Sequence, residues 1–146
     1  MSVAALLLKR KQELAEKNKR EGNVYRETFS QQEGVIALPS GVLYRITEEG
    51  TGIYPTLESK VRCHYHGTNV YGEVFDSSVE RGKPADFQIN KLIKGWQEVM
   101  PLLKVGSKAE IVIPAESAYG EEQISKEIGP NSTLVFQVEL IDILIL

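Results

Sequence analysis

The chain is short of the residues from which most reactive sites are built. Its 146 residues include one cysteine, Cys63, two histidines and one tryptophan. A lone cysteine cannot close an internal disulfide, which favours a reducing compartment. No run approaches the roughly 20 apolar residues that span a bilayer. The apolar run at residues 3–8 is shorter than a signal-peptide core and has no basic residue ahead of it. A formal net charge of −3 supplies no basic face for nucleic acid. The glycines are dispersed, and none opens a phosphate-cradling loop before a Lys-Ser/Thr pair. These absences predict a cytoplasmic protein with no membrane or nucleic-acid partner. The periplasm is the alternative if a leader or upstream domain is missing from the chain.

What is present divides near residue 34. Residues 2–32 hold no proline, one glycine (Gly22) and dense charge. Ser2 suits an N-cap, and Glu13–Lys17 and Glu16–Arg20 stand in the favourable i,i+4 order. This segment reads as a helix of up to about 30 residues, roughly 45 Å long. Gly22 is its expected weak point, at about 1 kcal/mol relative to alanine. The apolar stripe through Leu7 and Leu14 is narrow. Either the helix is solvated with its far end packed on the body, or it is a dimerising or substrate-contacting arm.

Beyond Gly34 the pattern becomes short strands. Segments 42–46, 60–68, 74–75, 86–90, 108–114 and 133–144 alternate or carry strand formers. On 60–68, Val61, Cys63 and Tyr65 share one face; Arg62, His64 and His66 share the other. One helical stretch, 95–103, is interrupted by Pro101, which should end or bend it near Met100. The expected fold is α+β: an antiparallel five- to six-stranded sheet curled around one short helix, preceded by a long N-terminal helix. The predicted division is an N-terminal charged helix, 1–34, and a body, 35–146.

Two further reactive chemistries are excluded by pattern. His64 and His66 share a strand face, but Cys63 points away and no carboxylate stands at ligand spacing, so they are expected to face solvent. Ser77 and Ser78 follow Asp76 without a histidine or a glycine elbow, and read as turn residues bonding local backbone. No metal and no cofactor is expected.

Attention therefore falls on Trp96 in Leu92-Ile93-Lys94-Gly95-Trp96. In order around it stand Tyr65 and Gly67, Val74-Phe75-Asp76-Ser77-Ser78, Arg81-Gly82-Lys83-Pro84, Val105-Gly106, Ala118-Tyr119-Gly120 and Thr133-Leu134-Val135-Phe136. Over residues 41–144 these strings resemble the FKBP-type peptidyl-prolyl cis-trans isomerases, which bind the macrolides tacrolimus and rapamycin. Gly34-Val35, Leu38-Pro39-Ser40-Gly41 and Ile128-Gly129-Pro130-Asn131 look like the bacterial subgroup named for the macrophage infectivity potentiator.

The resemblance implies an isomerase of X–Pro bonds in folding polypeptides. Trp96 would floor an apolar pocket walled by Tyr65, Phe75, Phe87, Ile93, Tyr119 and Phe136, with Leu92 and Ile128 at the rim. Asp76 would stand at the mouth, paired with Arg81. Asp76, Tyr119 and Tyr65 would act on the substrate. Taken singly, Trp96, Phe75, Phe87 and Phe136 read as ordinary core aromatics. The implied partners are proline-containing polypeptides and macrolides of the tacrolimus and rapamycin type. A weak homodimer through the N-terminal helix is a further expectation. The alternative function is a peptide-binding chaperone or adaptor using the same pocket with little turnover. Ala85 stands where many members carry a wall aromatic, and residues 121–127 are charged where relatives are glycine-rich. The bacterial subgroup carries a longer N-terminal dimerisation domain, of which the last helix is present here.

Overall fold

A computed structural model describes residues 2–146. Helix α1 spans Val3–Ser30, and the Ser2 hydroxyl caps it by accepting from the Ala5 N–H at 3.1 Å. Its first half is bare: Val3, Leu7 and Leu8 are all more than half exposed. Its second half is seated, with Asn18, Gly22 and Phe29 buried. Phe29 packs on Leu43 and Val112, with Tyr25, Val35 and Val135 around them. Gly22 differs from expectation. A Cβ there would lie 2.5 Å from the Thr133 hydroxyl oxygen, so the glycine allows the helix to close on the body at Thr133. Neither Glu13–Lys17 nor Glu16–Arg20 is among the ion pairs of the described residues.

The strands are β1 (Ile36–Ala37), β2 (Leu43–Glu48), β3 (Lys60–Thr68), β4 (Val74–Ser77), β5 (Ala85–Gln88), β6 (Lys108–Ile113) and β7 (Leu134–Ile145). They form one antiparallel sheet in the order β1-β2-β6-β7-β3-β4, with β5 also on β3. The seventh strand, absent from the expected five or six, is β1, whose two residues are too short to show a period. Strand β3 is the spine. It pairs with β7 along its whole length, and β4 and β5 share its other edge. Val61, Cys63 and Tyr65 are buried, as the alternation predicts.

Two short helices complete the fold. Helix α2 (Ser78–Arg81) follows β4 and stops at Gly82, whose φ is +72°. Helix α3 (Lys94–Val99) lies against the hollow of the sheet and buries Trp96 and Val99. It passes into a 3-10 turn at Met100–Leu102, as Pro101 requires. The strand expected at 86–90 ends at Gln88. Ile89–Lys91 turns as 3-10 because the Ile89 and Asn90 amides are drawn to the Ser59 and Leu57 carbonyls, at 3.1 and 3.0 Å.

Candidate functional site

The aromatic residues converge below the mouth of the curled sheet. Trp96 is 4% exposed and stands edge-on to Tyr65, Phe87 and Phe136, with ring centroids 5.7, 5.8 and 5.2 Å away. Phe75 meets Phe136 edge-on at 5.5 Å, and Tyr65 meets Phe87 at 5.6 Å. Tilted and T-shaped rings at these separations add favourable quadrupole contacts to their buried area. A Cβ on Gly67 would come within 2.6 Å of Phe75 and 2.8 Å of Phe136, so β3 leaves room there for both rings. Gly95 plays the same part behind the indole, since a Cβ would lie 2.5 Å from Ile113.

These rings border a cavity of about 310 Å³, also lined by Asp76, Lys91, Leu92, Ile93 and Tyr119. A larger groove, about 680 Å³, lies on the outer face of the sheet beside His64, His66, Lys108 and Glu139. The smaller cavity is the better site, because apolar walls and a few convergent polar groups are what small sites share.

The polar mouth is built by α2. Ser77 caps it, accepting from the Glu80 N–H at 3.1 Å. The single turn brings Arg81 back onto Asp76, five residues earlier, where its guanidinium bonds one carboxylate oxygen. The Tyr65 hydroxyl donates to the other oxygen at 2.6 Å and accepts from Arg81 Nη2 at 2.9 Å. The guanidinium also lies 5.6 Å from the centroid of the Tyr65 ring. Three side chains thus close a triangle. Burial, and next the Asp76 carboxylate, push the Tyr65 phenol above its ordinary value, while Arg81 opposes the shift. The bonds to Tyr65 and Asp76 hold Arg81 more basic than usual.

Ser77 and Ser78 do more than turn the chain. Ser78 Oγ accepts from the Tyr65 N–H at 2.8 Å, tying α2 to β3 under the pocket. His64 and His66 do not simply face water. They are half-buried, and their Nδ1 atoms stand 2.9 Å from the hydroxyls of Ser78 and Ser77. Among the described residues no group of three candidate ligands could hold a metal ion. Cys63 is wholly buried, and burial pushes its thiol up to about 12, so it offers no thiolate.

A sequence profile described as "FKBP-type peptidyl-prolyl cis-trans isomerase" matches residues 52–141. The chain belongs to this family. A second profile, "Domain amino terminal to FKBP-type peptidyl-prolyl isomerase", matches residues 2–46. The chain is 48% identical over 124 residues to the "FKBP-type 22 kDa peptidyl-prolyl cis-trans isomerase" of Escherichia coli, covering 85% of this chain and 60% of that protein. It is 41% identical to the "Outer membrane protein MIP" of Legionella longbeachae, over 88% of this chain and 55% of that one. The crystal structure of FkpA from Escherichia coli superposes with a TM-score of 0.89 at 39% identity, over 93% of this chain and 63% of that chain. The chain thus spans a little over half the length of these relatives.

Of the residues singled out from the family strings, Tyr65, Phe75, Asp76, Phe87, Leu92, Ile93, Trp96, Tyr119 and Phe136 all line the cavity. Arg81 stands behind Asp76 and is not a lining residue. Ile128 is not among the lining residues. It is 4% exposed and packed into the core, and its carbonyl accepts from the Ile124 and Ser125 amides. The Leu92 carbonyl accepts from Gln97 Nε2 at 2.6 Å, which fixes that rim peptide. The Tyr119 hydroxyl bonds no protein group among the described residues, and the side chain is 37% exposed at the mouth. Lys91 was missed, because a lysine just past a strand carries no signal of a pocket.

Proposed function

We propose that this FKBP-family chain catalyses cis-trans rotation of X–Pro bonds through the Trp96 cavity. The observation that carries this reading is the closed Tyr65–Asp76–Arg81 triangle at the mouth of a five-ring aromatic pocket. Rotation about an amide faces a barrier of about 18–20 kcal/mol because the twisted form loses resonance. No bond to carbon forms and no proton leaves, so nucleophile, metal and general base are unnecessary. The site must bind the twisted amide better than the planar ones.

The proline ring sits over Trp96, between Tyr65, Phe87, Ile93 and Phe136. There the planar, charge-separated amide loses water, whereas the twisted amide has less charge separation to solvate. Tyr119 donates its free hydroxyl to a substrate carbonyl and keeps the peptide on the rim. Asp76, fixed by Arg81 and Tyr65, presents an oriented dipole to the rotating group. The test is isomerisation of a chromogenic X–Pro peptide with and without tacrolimus. Acceleration that tacrolimus suppresses supports the site. No rate above background overturns the reading.

The remaining expectations are part of the same proposal. The division at 1–34 and 35–146 is functional: the exposed start of α1 is the assembly arm. Val3, Leu7 and Leu8 support weak self-association. Sedimentation of the full chain against Leu7→Glu/Leu8→Glu tests this, and equal monomeric behaviour of both removes it. The cytoplasmic expectation has no support among the relatives. One carries the name "Outer membrane protein MIP", which favours the periplasmic alternative. Fractionation of the producing cells decides between them.

A further inference from the structure

Asn18 is a poor choice for the interior of a long helix, because its short amide competes with helical backbone bonds. It is 6% exposed, and both ends of its side chain are engaged. Nδ2 donates to the Pro130 carbonyl at 2.9 Å, and Oδ1 accepts from the Tyr71 hydroxyl at 3.2 Å. The orientation of the amide is unambiguous, since a carbonyl can only accept.

Each partner belongs to a segment that flanks the pocket. Pro130 closes the loop 120–131, which starts immediately after Tyr119. Tyr71 lies in the turn that leads into Phe75 and Asp76. The links onward are short. The Asn131 N–H bonds the Gly120 carbonyl at 2.8 Å, and Asn131 Nδ2 reaches the Ala15 carbonyl of α1 at 3.4 Å. Asn69 Nδ2 ties the turn to the Glu127 carbonyl at 2.9 Å. Gly129 lets the loop press against the helix, as a Cβ there would stand 3.0 Å from Asn18 Nδ2.

We propose that Asn18 is a positioning residue for the pocket: α1 clamps the Tyr119 loop and the turn before Asp76 through one buried amide. The N-terminal helix then sets how firmly the rim grips a peptide, apart from any part in assembly. The kinetic consequence rests on the isomerase reading. The clamp itself does not.

The test uses the full chain with Asn18→Leu, Asn18→Asp and Asn131→Gly. The aspartate keeps shape and the acceptor for Tyr71 but offers no donor to Pro130. The glycine deletes the bond to Ala15 and suits the positive φ of Asn131, 58°. Amide hydrogen exchange should quicken at 120–131 in all three and at 69–73 in Asn18→Leu, while the β3 core stays protected. KM for an X–Pro peptide should rise about three- to tenfold with kcat within about twofold, since the rim holds the planar and twisted forms alike. Unchanged exchange in a folded variant overturns the clamp, and so does an increase spread evenly over the domain. Faster loop exchange with an unchanged KM overturns the positioning role. A wild-type chain without isomerase activity defeats the isomerase reading, and the exchange data still decide the clamp.

Discussion

The two halves of the pocket are held by different forces. Its floor and walls are five rings packed edge to face, with Trp96 almost wholly buried among them. Its mouth is polar and wet: the Asp76 and Arg81 side chains are 43% and 51% exposed, and the Tyr119 hydroxyl has no protein partner among the described residues. The floor is therefore part of what keeps the domain folded, whereas the mouth can be altered with the fold intact. An exposed ion pair is worth about 0–1 kcal/mol. The Asp76–Arg81 contact matters for aim, because it leaves the carboxylate one orientation.

The strongest way to break this comparison is Trp96→Ala. Removing a buried aromatic costs about 3–5 kcal/mol, so the floor variant should melt far below the wild type and bind no peptide. A variant that melts normally would place the indole outside the core. Alkaline pH tests the layer beneath. Burial raises the Cys63 thiol from 9.0 to about 12, so the folded state keeps its proton where the unfolded chain has lost it. The contribution is whole below pH 9 and disappears as pH climbs toward about 12. Denaturant titrations should show a steeper alkaline loss in wild type than in Cys63→Ala. Parallel curves would contradict the burial.

A smaller change tests the walls. In Gly67→Ala the new methyl group must displace Phe75 or Phe136, at about 1–3 kcal/mol for overpacking. Because both rings line the cavity, peptide affinity should fall even where the fold survives. The mouth should behave in the opposite way. Asp76→Asn and Tyr119→Phe should each leave the melting temperature within about 2 °C, as surface changes of about 0.5 kcal/mol or less do. Tyr119→Phe should lower kcat/KM by about two- to tenfold, the worth of one neutral hydrogen bond. A large loss of stability in either variant would merge the two halves of the pocket into one.

Much of this arrangement is legible in the sequence, and what is not has a common cause. The alternation from Lys60 to Thr68 sets β3 and its buried face, and the break at Pro101 is local chemistry. Most of the lining residues come from strings whose order survives without the fold; Phe87 and Lys91 stand outside them. By contrast, Gly22 reads as a weak point in a helix and Asn18 carries no signal at all, because their value lies in Thr133 and Pro130, more than a hundred residues away. Ser77 and Ser78 read as a turn because their reach back to β3 appears only once β4 has paired with it. Ile128, expected at the rim, packs in the same core cluster as Trp96 and Phe136 and is not among the cavity's lining residues.

Lys91 gives the smallest and most specific test. It lines the cavity, is exposed, and makes no ion pair among the described residues, whereas Asp76 is already held by Arg81. The unmatched charge at the mouth is therefore positive, and a peptide with a carboxylate beside its proline gains a partner there. An exposed pairing of this kind is worth up to about 1 kcal/mol, so Glu-Pro peptides should turn over about two- to fivefold better than Lys-Pro peptides. The preference should shrink in high salt, as exposed charges are screened beyond about 10 Å at 0.1 M. Lys91→Glu should reverse the ratio without moving the melting temperature, since the side chain supports nothing beneath it. A ratio that stays the same in the variant would mean that the floor alone chooses the peptide.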